Sequence, residues 1–299
     1  MKCSLALSIA LATASTSLAG GGNVLVLSSG DSVLDAQYEE VLEAHGHTVA
    51  FAPQWYQYDG TASLAGVDAI LLLNNANWNF GGPMPAVGQT QIVNFVNNGG
   101  ALVTTEWTVW NNGFNGTVDF DLLDVVFAVE PSSNFRLMAE ATYTQSVSNP
   151  VINAGLPASI NFTADTFSGT ETYFVAKPGA SEFYTSDGYG SGLVGWSVGG
   201  GRCANFSTCI GPQQLDDANF SRLLSNTLDW AGGGIGCTAD FNGSGTVTSS
   251  DITAFLSAWF NDLANGTLIA DVNNSDTVTS ADITAFLSAW FAAVAQGGC

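Results

Sequence analysis

Twelve residues near the carboxyl end carry side-chain oxygen at matching intervals in two loops. Asp240, Asn242, Ser244, Thr246, Thr248 and Asp251 occupy positions 1, 3, 5, 7, 9 and 12 of the first loop. Asp271, Asn273, Ser275, Thr277, Thr279 and Asp282 occupy the same positions of the second. Oxygen side chains at positions 1, 3, 5, 9 and 12, with position 7 able to offer its carbonyl, are the spacing that wraps a hard cation in oxygens. The chemistry expected is calcium coordination at two sites. The first is the better formed, because the second has Asp276 where the sharp turn favours glycine. Ser244 and Ser275 at position five leave each loop short of one formal charge, which sets the expected affinity on the order of 10⁻⁴ to 10⁻³ M.

The element that must position each loop follows it directly. The ten residues 251–260 recur unchanged at 282–291, a repeat of 31 residues. Ile252, Phe255, Leu256, Trp259 and Phe260 fall on one face of the first predicted helix, and Ile283, Phe286, Leu287, Trp290 and Phe291 on one face of the second. Each stripe needs the other to cover it. Polar loops between two helices would exist without a metal, but that account leaves the repeated oxygen positions unexplained. Residues 237–299 resemble the duplicated calcium-loop-and-helix of dockerin modules, in particular the Cys-flanked kind. The resemblance implies a cohesin-like or other extracellular protein as partner. It departs from the family where Ser244 and Ser275 replace the usual Asp.

A second candidate chemistry lies in the first two thirds of the chain. Asp31 and Glu106 are carboxylates placed just after predicted strands, and a carboxylate pair at the right separation suffices for glycoside cleavage. Asn74, Trp78 and Trp107 fall in similar positions, and aromatic faces interleaved with amides suit a polar ring such as a sugar. The same tryptophans would equally serve to cap a core. Ser29, Gly30 and Asp31 make no phosphate loop, since they bring no lysine and place an acid where phosphate would sit.

The elements that carry these residues alternate. Apolar strands are predicted over 23–28, 48–52, 68–73 and 101–105, and helices over 32–44, 90–97 and 216–230. Apolar strands separated by helices predict an α/β fold, a doubly wound, flavodoxin-like and mostly parallel sheet covered on both faces, followed by the small all-α calcium-loop domain. Strands and turns dominate 114–208. The order of signals resembles the class I glutamine amidotransferase-like superfamily and its ThuA-like branch. The residues that carry the resemblance are Val24 to Leu27, Gly46 to Val49, Asn149 to Pro157, Gly195 to Arg202 and Leu223 to Trp230. Catalytic members place a cysteine after the strand matching 101–105, with a later histidine as its base. Here Thr105, Glu106 and Trp107 follow that strand, and His45 and His47 precede strand two. Amidotransferase activity is excluded, and neither a Cys-His nor a Ser-His pair is expected.

Lys2, the apolar run 5–12 and the small residues Ser17 and Ala19 read as a signal peptide over 1–19, predicting an exported protein, secreted or at the cell surface, with the periplasm as the alternative. The α/β domain then spans 20–231, a glycine-rich linker 232–236 and the repeat module 237–299. With Cys3 in the segment expected to be removed, four of the five cysteines remain, and in an oxidising compartment they predict bridges between Cys203 and Cys209 and between Cys237 and Cys299. With 26 acidic residues against 5 basic and a formal charge of −21, nucleic acid and anionic membranes are excluded as partners, and no further apolar run is long enough to span a bilayer. Two readings remain. The favoured one is a secreted non-catalytic protein whose calcium-binding module tethers a ligand-binding domain, with carbohydrate the candidate ligand, to an extracellular assembly. The alternative is a polysaccharide hydrolase using Asp31 and Glu106.

Overall fold

The computed structural model describes residues 21–74, 77, 82–113, 119–164, 170–232, 239, 241, 247–266, 268–272 and 277–296, with Glu106 described by its backbone only. Five strands form a parallel half-sheet: β1 (Asn23–Leu27), β2 (Thr48–Ala52), β3 (Ala69–Leu72), β4 (Ala101–Thr104) and, far along the chain, β11 (Gly201–Phe206), in the order β2-β1-β3-β4-β11. Alternate side chains of each strand feed opposite layers. Val24 and Val26 join Leu34, Tyr38 and Leu42 of α1 (Ser32–Ala44) and Leu224 and Leu228 of α5 (Ala218–Gly232). Leu25 and Leu27 join Ile92 and Val96 of α2 (Ala86–Asn97). Both faces are therefore dry, which is why the strands read as continuous apolar runs.

The sheet does not stop at β11. β10 (Ser191–Val198), β9 (Ser181–Ser186), β6 (Glu140–Gln145) and β7 (Ser159–Thr163) extend it antiparallel to nine strands, so the sheet is mixed rather than purely parallel. The β10–β11 hairpin turns on Gly199, at φ +61, and Gly200. Gly201 follows because a Cβ there would stand 2.0 Å from the Gly100 carbonyl oxygen. A two-stranded sheet of β5 (Phe135–Leu137) and β8 (Thr170–Thr172) lies against α3 (Glu106–Gly113).

The helix expected over 216–230 is α5, shifted by two residues, and a short helix, α4 (Pro212–Asp216), precedes it. The Asp217 carboxylate accepts from the amides of Asn219 and Phe220, an N-cap that starts a new helix. After it come α6 (Ser249–Asn265) and α7 (Ser280–Gln296), packed through a cluster of their own in which Phe255 and Phe286 stack at 4.3 Å and 8° with Phe241 edge-on to both. Phe260 and Phe291, expected in that seam, are exposed. Each stands one residue past a seam tryptophan and so is turned about 100° away from the facing helix. No helix among the described residues is long and apolar enough to cross a membrane.

Candidate functional site

The crossovers from β1 and β3 leave on opposite faces, α1 on one and α2 on the other, so the carboxyl ends of these two strands flank the switch in strand order where open α/β sheets bind ligands. The loop after β1 is tied down by Asp35 in the first turn of α1. Its carboxylate accepts from Ser28 Oγ at 2.5 Å, Ser29 Oγ at 2.7 Å and the Ser29 amide at 2.9 Å. Asp31, expected to act in catalysis or ligand binding, is instead the N-cap of α1: its Oδ1 accepts from the Val33 and Leu34 amides at 2.8 and 3.4 Å. The helix amino terminus, which could otherwise hold an anion, is thus filled by the chain's own carboxylates. Gly30, at φ +87, passes so close to Gln54 that a Cβ would meet its Oε1 at 2.5 Å.

Amides continue the rim. Asn77 Nδ2 donates to Gln54 Oε1 at 2.9 Å and to the Ser28 carbonyl at 3.3 Å, while its Oδ1 accepts from Trp55 Nε1 at 3.1 Å. Asn74, fully buried just past β3, accepts from Thr105 Oγ1 at 3.2 Å through its Oδ1. Its Nδ2 has no acceptor among the described residues, nor has the buried Thr108 Oγ1 of α3 a partner. Buried donors are nearly always satisfied, so such an orphan marks a place where something else bonds. Trp78 lies outside the described residues. Glu106 opens α3 directly after β4, and its side chain likewise lies outside the description. Trp107 is buried in an aromatic pile, 4.9 Å edge-to-face from Trp110 and 5.9 Å from Phe135 of β5, so it holds the small sheet over α3.

One charged group escaped the sequence reading. Glu171 of β8 is completely buried, held by Arg136 Nη2 at 2.7 Å and Nε at 2.9 Å and by Ser207 Oγ at 2.6 Å beyond β11. Burial pushes its carboxyl above the ordinary range against the pull of Ser186, Ser207 and Arg136. Arg136 also reaches Asp187 at 3.7 Å and lies over the Tyr189 ring. The 35-residue separation of this pair left no local signal to find it by.

One Ser-His contact was not foreseen, and one expected bridge needs correction. A Ser-His contact does exist: His47 Nε2 is 2.9 Å from Ser225 Oγ and 3.8 Å from Asp229. It lies before β2, at the amino end of the sheet, where His47 and Ser225 are buried and one ring nitrogen meets both partners; a relay would need both nitrogens. Burial lowers the His47 pKa against the pull of Asp229. Cys203 and Cys209 are not bridged. The Cys203 thiol sits in the sheet core, donates to Asn205 Oδ1 at 3.8 Å and is pushed up by burial to about 12; Cys209 packs with Trp107 and Trp110. The two side chains are buried in different clusters, Cys203 in the layer with Leu102 and Val194 and Cys209 with Trp107 and Trp110. Cys237 and Cys299 lie outside the described residues.

Of the repeat loops, Thr248, Asp251, Asp271, Thr277, Thr279 and Asp282 are described; Asp240, Asn242, Ser244, Thr246, Asn273 and Ser275 are not. The described parts match residue for residue. Asp251 and Asp282 are fully buried, and each accepts from the amide of its own Thr248 or Thr279 at 2.7 Å. Two carboxylates buried at the end of an oxygen-only loop fit a hard divalent cation, which would balance their charge.

The fold defined by these elements is a ThuA-like α/β fold. Its relatives among solved structures include a cytoplasmic protein from Salmonella typhimurium LT2, with a TM-score of 0.53 and 14% identity over 71% of this chain and 99% of that one. ThuA-like proteins from Parabacteroides merdae ATCC 43184 and Bacteroides uniformis ATCC 8492 match with TM-scores of 0.52 and 0.51 and identities of 13% and 12%, covering 71% and 74% of this chain and 89% and 94% of theirs. No family model matches the chain, and no curated protein does. At these identities the likeness is one of fold. The expectation of export is corrected by it: the Salmonella relative is described as cytoplasmic, and a secreted location is withdrawn.

Proposed function

We propose that this chain is a non-catalytic binding protein, in which a ThuA-like domain holds an uncharged polyol or carbohydrate at its carboxyl-edge crevice and a duplicated, dockerin-like calcium module attaches it to a cohesin-like or other protein partner. The single observation that carries the reading is the division of polar groups at that edge. Asp31 and Asp35 are engaged in the α1 start and Glu171 with Arg136, while the buried Asn74 Nδ2 has no acceptor among the described residues. Among the described residues, the groups left to a ligand there are the Asn74 amide and the Thr108 hydroxyl, which pair with hydroxyls and carry no charge. Asp31 is also the expected partner of Glu106 in hydrolysis, and its place in the cap argues against that pair.

In the module, Asp240, Asn242, Ser244, Thr246, Thr248 and Asp251 would hold one calcium ion and Asp271, Asn273, Ser275, Thr277, Thr279 and Asp282 the other, and the ion would supply positive charge to offset the loop carboxylates. The chain's own contribution is to hold Asp251 and Asp282 buried and fixed at the first turn of a helix. Isothermal titration of the full chain against pooled neutral oligosaccharides, with Asn74→Leu beside wild type, tests the crevice. Wild type should bind without turnover and Asn74→Leu should lose at least about tenfold, the order expected for a lost buried hydrogen bond. Release of reducing sugar by wild type would reverse the reading in favour of hydrolysis.

A further inference from the structure

The nine-stranded sheet ends in β7, and that edge stands open. In the β6–β7 ladder the Gln145 amide donates to the Ala158 carbonyl at 2.8 Å and the Ala164 amide to the Ala139 carbonyl at 2.9 Å. Between these bonds the register runs from Glu140 opposite Thr163 to Thr144 opposite Ser159. Residues of an antiparallel pair alternate, so Ile160 and Phe162 turn their N–H and C=O groups to β6, while Ser159, Asn161 and Thr163 turn theirs away from it. All three are exposed, and no strand among the described residues takes up those groups. Sheet edges are normally guarded by charge, proline or a bulge. β7 carries no charged residue and no proline, and its register with β6 is unbroken. At the opposite edge β2 runs directly into Pro53, which has no N–H to offer.

A cavity of about 470 Å³ lies beside the Thr163 end of this edge. Asn161, Thr163 and Glu140 line it, with Asp187 past β9 and Asp217 at the start of α5, and no cationic side chain is among its lining residues. Arg136 reaches Asp187 at 3.7 Å and offsets part of that charge. Among the described residues Glu140 and Asp217 make no ion pair. From the open edge and the charge beside it we propose that β7 docks an extended basic segment of a partner protein, which pairs with Ser159, Asn161 and Thr163 as a further strand and sends a lysine or arginine into the cavity. Main-chain bonds hold such a segment, and pockets for alternate side chains select it. Cations at every second position of the added strand fall on the face that Glu140 shares with Asn161 and Thr163. A second copy of this chain does not fill that role. Residues 158–164 bring no cation, and 26 acidic residues against 5 basic set two copies against each other.

The test is fluorescence anisotropy of the full chain with a labelled peptide that alternates lysine with valine. That peptide should bind, and its counterpart with glutamate for lysine should not. Methylating all backbone amides of the lysine peptide keeps its charge and removes the N–H groups that form a strand, and should weaken binding at least about tenfold. Asn161→Pro removes the central outward N–H of β7 without removing a bond to β6, a change that edge strands tolerate, and should also cost at least about tenfold. Glu140→Gln should weaken the lysine peptide about threefold, the order of one exposed charge. Circular dichroism melts check that both variants are folded, and if Asn161→Pro is not, the methylated peptide still decides. Equal binding of the methylated peptide, or indifference of a folded Asn161→Pro chain, would reduce the effect to general attraction by an acidic surface and overturn the proposal, as would no binding of the lysine peptide. Sedimentation of the chain alone as a dimer that Asn161→Pro dissolves would assign the edge to a second copy and overturn the basic partner.

Discussion

Among the described residues, Arg136 carries the only positive charge set against the buried Glu171 carboxylate. Removing one partner of a buried pair is far costlier than the pair is worth, because the remaining charge is stranded without water. Arg136→Ala should therefore lower stability by about 3 kcal/mol, while Glu171→Gln, which keeps the shape and removes the charge, should cost clearly less; denaturant melts of the two variants check the ranking. Asp119 supplies a pH test. Burial pushes its carboxyl from 3.8 to about 6, so between those values the folded chain binds more protons than the unfolded one, and stability falls as pH rises. The cost is full above pH 6 and gone below 3.8. Asp119→Asn should raise the melting temperature at pH 8 and leave it unchanged near pH 3.5; because Asp119 is part-exposed, the gain is discounted for screening to about 1 kcal/mol. A gain that persists at the lower pH would refute the burial account. Asp31 shows what was legible at this scale and what was not. Its place before an apolar helical run marks it as a cap, yet its position after a strand marks it equally as a ligand, and only the Val33 and Leu34 amides decide between them.

At the scale of elements, β1, β2, β3, β4 and α1 were readable because each is apolar with a period that matches its form, and the α1 and β2 bounds agree with the sequence reading. The closing helix α5 was read to within two residues, its start fixed by the Asp217 cap, while the five-residue α4 was missed because it is too short to show a helical period. The antiparallel extension from β10 to β7 was foreseen only as strand-rich sequence. Pairing such as Thr144 with Thr185 is set by contacts across 41 residues and has no local mark. The Phe255 seam was readable, and the exposure of Phe260 on the same helix was not, since a count of apolar residues does not locate the edge of a stripe. For α6 and α7 the calcium reading proposed above predicts a calcium-dependent stability. Asp251 and Asp282 are buried carboxylates at helix starts, and without a cation they bear the cost of desolvation. Chelation should speed amide exchange across both helices and leave β1 to β4 unchanged, as hydrogen exchange followed by mass spectrometry would show. Equal protection with and without chelator would remove the claim.

For the whole molecule, Cys203 reports on the sheet as a unit. It lies in the middle of β11, between β4 and β10, fully buried, with a thiol held near 12 by that burial. Reaction needs the thiolate, which is vanishingly scarce at neutral pH while the sheet is closed. Exposing it requires separation of strands that also bury Val194, Leu102 and Ile70 in the same layer, so no local fluctuation suffices. The nine-stranded sheet joins the parallel half, whose first four strands come early in the chain, to the antiparallel half through β11. Opening at β11 is therefore opening of both. Labelling of Cys203 by a thiol reagent in the folded chain should follow the global unfolding equilibrium, with the same denaturant slope as the melt followed by circular dichroism. Labelling at the rate of an unfolded peptide in the absence of denaturant would show that the two halves open independently, and a Cys203–Cys209 bridge recovered by non-reducing peptide mapping would overturn the thiol assignment itself.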